Sequence, residues 1–155
     1  QETAVSILKK LSTIPADFNL NRKLAKFLKD RSDMADGIKS LDWASGEALA
    51  IGSLLTEGHP VRLSGQDAER GTFTHRHSIV HDFETGQKYA PLNKIREGQA
   101  RFEVYNSHLS EMAVLGFEYG YTLADPTSLV VWEAQFGFWQ RRPSDHRPVY
   151  RVDRI

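Results

Sequence analysis

The sequence lacks several features that would assign it to a class at once. It has no cysteine among 155 residues, which excludes disulfide bonds and thiolate metal sites. No apolar run approaches the ~18 residues that a membrane-spanning helix needs. Basic and acidic residues number 20 each, so no basic excess argues for nucleic-acid binding. What remains is a globular chain whose chemistry would come from carboxylates, imidazoles and amides.

Common catalytic and nucleotide-binding motifs are missing as well. Gly65 and Gly71 match neither the Walker spacing nor the dinucleotide-binding spacing. There is no nucleophile elbow and no paired-carboxylate hydrolase signature. The chain starts Gln1-Glu2, without a methionine or an apolar leader, so no signal peptide is visible, and we interpret the chain as a piece of a longer one.

Apolar periodicity predicts three helices in the first 58 residues. The first covers residues 3–11, and the second follows Asn19 or Asn21, either of which could cap it. The third covers residues 44–56. Gly37 and Gly58 follow the second and third helices as stop signals.

After Gly58 the period changes to that of strands. Short strands are predicted at residues 59–64, 78–81, 102–105 and 129–132, an extended segment at 89–92, and a helix from Glu111 to about Leu123. This order predicts an α/β domain with a largely parallel sheet. Ligand sites in such sheets form beyond the carboxyl ends of the strands, here residues 65–67 and 133–137.

Glu111 is the strongest candidate for chemistry, and two interpretations of it stand side by side. It could be an ordinary acid at a helix start, with Ser107 or Ser110 as the cap. It could also be a buried acid that binds a ligand, because the residues that follow, AVLGF, are nearly all apolar. We therefore expect this end of the helix to be buried.

His75 and His77 form the second candidate. Two histidines at i and i+2 on a strand point the same way and could ligate a metal, but no third ligand has a convincing spacing. Binding of an anion or an acidic substrate by His75, Arg76 and His77 is more plausible, and an ordinary polar loop is the alternative. We expect Gly116, Gly120 and the aromatic residues between them to pack at an interface.

Several motifs in the same order resemble one enzyme family over residues 1–138: the thiamine-dependent first components of 2-oxoglutarate dehydrogenase complexes. The family also contains the 2-oxoadipate enzyme and 2-oxoglutarate decarboxylases. The motifs are VRLSGQD at 61–67, RGTFTHRH at 70–77, YAPLN at 89–93, LSE at 109–111, GFEYGY at 116–121 and WEAQFG at 132–137.

The resemblance implies a transketolase-like pyrimidine-binding domain, incomplete here, at residues 59–138, after a helical lead at residues 1–58. It implies thiamine diphosphate and Mg²⁺ as cofactors, with the diphosphate and metal ligands in a preceding domain whose Gly-Asp-Gly motif is absent here. The expected partners are a second copy in a homodimer, the succinyltransferase component and 2-oxoglutarate; no nucleic acid and no membrane are expected. The expected location is the bacterial cytoplasm or the mitochondrial matrix.

The resemblance also implies residue roles. Glu111 corresponds to the glutamate that hydrogen-bonds the pyrimidine ring nitrogen, and such a carboxyl should be shielded from water. Phe136 corresponds to an aromatic residue that lines the pyrimidine pocket, and Gln66 to a glutamine near the active centre. His75 and His77 correspond to the family's histidine pair, with substrate-side or structural roles, and no metal ligand is expected. Met112 stands where many members carry a second acid.

Residues 139–155 do not continue the family pattern. They hold five arginines and two aspartates, and the aspartate that usually follows Gln-Phe-Gly is missing. The usual run, GNGAQVIIDQFI, can be written in codons that give WQRRPSDHRPVY when read one base earlier, which is residues 139–150. We interpret the tail as frameshifted, and we expect it to pack poorly, leaving apolar surface uncovered.

Overall fold

The computed structural model describes residues 2–135 of the chain. Four α-helices, five strands and one 3₁₀ turn are present in this range. In chain order they are α1 Glu2–Leu11, α2 Arg22–Ala35, α3 Trp43–Thr56, β1 Val61–Gly65, β2 Val80–His81, β3 Lys88–Tyr89, the 3₁₀ turn Pro91–Lys94, β4 Phe102–Asn106, α4 Glu111–Ala124 and β5 Leu129–Glu133.

The three predicted helices of the lead are confirmed. Asn21, not Asn19, caps α2, because its side chain accepts the N–H of Lys23 at 2.9 Å. Asp42 caps α3 by accepting the N–H of Ser45 at 2.7 Å. Such caps satisfy backbone donors that have no partner inside the helix.

The parallel sheet is also confirmed, with β1 between β4 and β5. The register aligns Gly65 with Asn106 on one side and with Glu133 on the other. The three strands therefore end at one level, and we call this end of the sheet, defined by these three residues, the carboxyl edge. A separate antiparallel pair joins β2 and β3.

The extended segment predicted at residues 89–92 is only partly correct. Strand β3 ends at Tyr89, and a 3₁₀ turn begins at Pro91. Proline favours a first helical turn because its ring presets φ and it has no N–H to leave unpaired. Asn93 then bonds both the N–H and the carbonyl of Phe102, at 2.8 and 2.9 Å, and so anchors the turn beside β4.

One apolar core joins the helical lead to the sheet. Buried side chains from α1, α3, β1 and β4 and from the segments between these strands meet in it: Ile7, Leu11, Ala48, Leu55, Val61, Leu63, Ala68, Leu92, Ile95 and Phe102. Burying side chains of this size supplies most of the favourable free energy of folding. Helix α4 contributes none of these residues.

Candidate functional site

Glu111 lies at the carboxyl edge, where parallel α/β sheets bind ligands. The segment between β4 and α4 crosses the end of β1, since the N–H of Ser107 donates to the carbonyl of Gly65 at 2.8 Å. Helix α4 then begins at Glu111, whose Oε1 accepts the backbone N–H of Gln135 at 2.8 Å. Gln135 follows β5, so this bond links the start of α4 to the end of β5.

The interpretation of Glu111 as an acid beside a serine cap is not supported. Ser110 occupies the N-cap position, but its side chain makes no capping bond. The Ser107 hydroxyl donates instead to the carbonyl of His108 at 3.1 Å. Glu111 is still favourably placed for the dipole of α4, but its bond with the N–H of Gln135 goes across the sheet edge.

The expectation that this helix start is buried is wrong for the described chain. Glu111 is half-buried, while Leu109 is 83 % and Met112 is 68 % exposed. Helix α4 lies against β5, and nothing within residues 2–135 covers its outer side. Within the described residues the Glu111 carboxyl is therefore less shielded from water than a buried catalytic acid or base would be.

Gln66 and Gln135 meet at the same edge. The Gln135 side-chain amide donates to the hydroxyl of Thr72 and reaches the backbone carbonyl of Gln66 at 3.5 Å. We call Gln66, Thr72, Glu111 and Gln135 the strand-end cluster. Gln66 belongs to it through its backbone, and its side chain is half-buried.

Gly65 permits this close arrangement. A β-carbon at this position would lie 2.7 Å from the carbonyl oxygen of Glu133 and 2.9 Å from its Cβ. Backbone this close leaves no room for a side chain, so only glycine fits where β1 and β5 end together. Phe136 comes directly after Gln135 but lies outside the described residues, and its pocket role stays a prediction.

The segment that carries His75 and His77 is not a strand. Thr74 and His77 have positive φ angles of 57° and 44°, which non-glycine residues seldom adopt and which cluster at functional sites. The turns send the two rings to different neighbours. His75 lies over Gly71, where a β-carbon would come within 2.5 Å of the imidazole, and His77 packs edge-on against Phe27 at 4.9 Å between centroids.

The two histidines therefore do not form the same-side pair that i, i+2 spacing on a strand would give. Within residues 2–135 no cluster of three or more histidine or acidic side chains is arranged to hold a metal ion. His77 is half-buried in the structure, which the sequence alone does not indicate. Burial lowers the pKa of its imidazole, and the charge of Arg31 lowers it further.

The structure does not support the expectation that Arg76 takes part in binding an anion. Its side chain is 7 % exposed. The guanidinium holds Glu47 through Nε at 2.5 Å and Nη2 at 3.1 Å, and Glu133 through Nη1 at 2.7 Å and Nη2 at 3.2 Å. Nη1 also donates to the carbonyl of Ala68 at 3.0 Å. All five donors are used, so none is left for a substrate anion.

The pKa of Arg76 reflects this environment. Burial alone would lower it, but the hydrogen bonds and charges of Glu47 and Glu133 raise it above its ordinary value. The guanidinium ties α3 to the carboxyl edge across the loop. Sequence reasoning missed this link, because Glu47 and Glu133 stand 29 and 57 positions away from Arg76 and carry no local signal.

The chain is similar in sequence to known proteins. The model of the transketolase pyrimidine-binding domain family matches residues 39–149. Proteins named "2-oxoglutarate dehydrogenase E1 component" from Brucella anthropi, Brucella ovis and Brucella canis are each 54 % identical to this chain over 136 residues. These alignments cover 88 % of the chain but only 14 % of each relative's length.

Within residues 2–135, no helix is long and apolar enough to cross a bilayer.

Proposed function

Because this chain belongs to the transketolase pyrimidine-binding domain family, we propose that it holds the aminopyrimidine ring of thiamine diphosphate. The relatives' name extends the proposal to the whole protein: the first, decarboxylating component of a 2-oxoglutarate dehydrogenase. The family is thiamine diphosphate-dependent. The reaction is oxidative decarboxylation of 2-oxoglutarate, with transfer of the succinyl group to lipoyl groups of a succinyltransferase component, in the tricarboxylic acid cycle.

One observation carries this proposal: the carboxyl group of Glu111 is fixed at the carboxyl edge. Its Oε1 accepts the N–H of Gln135 at 2.8 Å, which places it next to the residue that precedes Phe136. A carboxylate has two oxygens and about four acceptor directions, so this bond is compatible with a further bond to a ring nitrogen. The proposal adds one such bond, between Glu111 and a flat, nitrogen-containing ring.

In this proposal each residue has a limited role. Glu111 hydrogen-bonds the ring nitrogen and favours the tautomer whose exocyclic nitrogen can accept a proton. Phe136 forms part of the pocket wall, while Gln66 and Gln135 define the floor at the end of β1. When bound, the cofactor supplies the carbon nucleophile and the electron sink for loss of CO₂.

The diphosphate and Mg²⁺ are assigned to residues outside this sequence. The 155 residues contain no Gly-Asp-Gly motif, and Glu133, at the end of β5, already pairs with Arg76. We therefore expect no turnover from this chain alone when thiamine diphosphate, Mg²⁺ and 2-oxoglutarate are added. Measurable decarboxylation by this chain would contradict that assignment.

The proposed homodimer would use the outer face of α4. This face exposes the large side chains Met112, Tyr119 and Leu123, each more than half accessible. Covering it with a second copy would also shield Glu111 from water, as the chemistry requires. The proposed location is the cytoplasm, as for a bacterial enzyme.

Two alternatives remain. Within the family, the substrate could be 2-oxoadipate, or the protein could be a 2-oxoglutarate decarboxylase; residues outside this chain would decide. From another class, the domain could be a non-catalytic interaction module, which the exposed face of α4 favours. In that case Glu111 would have only a structural role at the sheet edge.

A substitution at Glu111 tests catalysis against interaction. In the full-length protein that carries this segment, we expect Glu111→Ala to reduce decarboxylation about 10²-fold or more, because the ring-nitrogen bond assists proton transfer. The matched control is Glu97→Ala, which removes an exposed carboxyl remote from the edge. Unchanged turnover in Glu111→Ala, with the fold intact by circular dichroism, would favour the interaction module.

A further inference from the structure

Two buried arginines face one small cavity, and they differ in their partners. The cavity, about 10 Å³ in volume, is lined by residues of α1, α2, α3 and the loops after β1 and β3: Leu11, Arg31, Glu47, Ala48, Ile51, Arg76, His77, Ser78, Pro91 and Leu92. Arg76 uses every donor, as described above. Arg31 is 4 % exposed, yet its Nε and Nη2 have no hydrogen-bond partner among the described residues.

The cavity is too small for Arg31 to bind a substrate group. A volume of this size holds about one water molecule, and the Glu47 carboxylate in its wall would repel an anion. The side chain that Arg31 contacts therefore indicates its role.

Its contact is the ring of Phe27, one turn earlier on α2. The guanidinium carbon lies 4.6 Å from the ring centroid, a distance typical of a cation–π interaction. The same ring meets His77 edge-on, at 4.9 Å between centroids and 63° between planes. Phe27 thus lies between a fixed positive charge and the imidazole.

We propose that Arg31 and Phe27 are positioning residues for His77: the Phe27 ring sets the orientation of the imidazole, and the Arg31 guanidinium, 4.6 Å from the centroid of the same ring, places a fixed positive charge beside this pair. This inference rests on the proposed function, and it takes the substrate-side role of the two that the family resemblance implies for His77. An uncharged imidazole can accept a proton or hydrogen bond near neutral pH, and a charged one cannot.

The other groups around His77 are consistent with this assignment. Arg31 on α2 and Arg70 and His75 on the loop all disfavour the protonated ring, while the Thr74 backbone carbonyl favours it. Glu47 on α3 would favour it too, but both its oxygens are bonded to Arg76. Of these three groups, Arg31 disfavours the protonated ring most, and the charges of Asp42 and Glu47 act in turn on Arg31.

The first test is an NMR titration of the histidine rings in this chain. We expect Arg31→Met to raise the pKa of His77 part of the way toward the ordinary value of 6.5, because burial persists while the charge is lost. Arg31→Lys, which keeps the charge, should leave it low. Arg22→Met, which removes an exposed arginine on the same helix, should have no effect.

The second test does not depend on how well the Arg31→Met variant folds. Phe27→Leu removes the ring but keeps the charge, so the His77 proton resonances should lose the ring-current shift that an edge-on aromatic neighbour produces. An unchanged His77 pKa in Arg31→Met overturns the proposal, as do unchanged His77 shifts in Phe27→Leu. Failure of the proposed function would instead be seen as full decarboxylation by Glu111→Ala in the whole protein, which these titrations do not involve.

Discussion

Helices α3 and α4 have the same length, 14 residues, and both are rich in apolar side chains, yet they are buried very differently. Helix α3 buries Ala44, Ser45, Ala48, Gly52 and Leu55. Helix α4 buries only Glu118. Since composition is so similar, burial here depends on what lies opposite each helix.

The two helices are also held by different interactions. Leu55 on α3 is fully buried in the core that joins the lead to the sheet. Glu118 on α4 holds Arg62 of β1 through two bonds of 2.7 and 3.0 Å. Arg62 in turn stacks against Tyr105 and Tyr121, at 4.5 and 4.6 Å. An ion pair framed by aromatic rings therefore holds α4 to the sheet and leaves its apolar face outward.

The largest expected effect contrasts one leucine from each helix. Leu55→Ala should destabilise the chain by about 2–5 kcal/mol, because it leaves a cavity in the core. Leu123→Ala on α4, at a side chain 67 % exposed, should change stability by less than about 0.5 kcal/mol. Urea unfolding followed by circular dichroism measures both. Equal losses would mean that α4 is packed as tightly as α3.

The ion pair of α4 gives the next effect. Glu118→Ala should cost about 3 kcal/mol, because it leaves the Arg62 guanidinium partly buried without its main partner. The hydrogen bonding of Arg62 to Glu118 is also the first cause of the raised pKa of Arg62. The control is Glu103→Ala, which removes the longer, 3.4 Å contact of the same arginine and should cost less than about 1 kcal/mol. A larger loss of stability for Glu103→Ala than for Glu118→Ala would contradict this prediction.

Matched glycine substitutions should change stability in opposite directions. A β-carbon at Gly52 of α3 would lie 2.8 Å from Ile7 Cγ2, whereas none of the surrounding atoms comes within 4 Å at Gly116 of α4. Gly52→Ala should destabilise the chain, since overpacking costs about 1–3 kcal/mol against a helix-propensity gain of about 1 kcal/mol. Gly116→Ala should stabilise it by up to that gain. Thermal unfolding gives both signs, and destabilisation by Gly116→Ala would show that the face is already covered.

The same contrast explains which features the sequence could predict. Helix α3 was found within one residue of its start because its cap, apolar stripe and stop glycine are local signals. The parallel sheet could be predicted from the order in which helical and strand-like apolar periods alternate along the chain. The extended segment is predicted correctly at Tyr89 but not at Pro91 and Leu92, because the composition of a 3₁₀ turn resembles that of an extended segment.

The site was predictable in position and not in partners. Gln66 is expected just beyond the end of β1 and lies there, whereas the sequence places Glu111 only at the start of its helix. The bond from Gln135, the Arg76 network and the packing of His77 on Phe27 all join residues far apart in sequence, so no spacing rule could predict them. Burial of Glu111 depends on what lies opposite the outer side of α4, and nothing within residues 2–135 covers that side. The expected burial is therefore wrong for these residues.

The smallest expected effect concerns residues 139–155, which lie outside the described residues. We propose that this tail is frameshifted, although the family match extends into it as far as residue 149. A chain that ends at Phe138 should then unfold at the same urea concentration as the whole chain, because an out-of-frame segment has no selected packing partner. A chain that ends at Ala124, before β5, should be much less stable, because β1 would lose the strand on one side.

If ending the chain at Phe138 lowers stability by more than about 1 kcal/mol, the tail packs on the domain and the frameshift hypothesis is wrong. A natural gene that reads through this region in frame, without an insertion or deletion relative to its relatives, would contradict it independently.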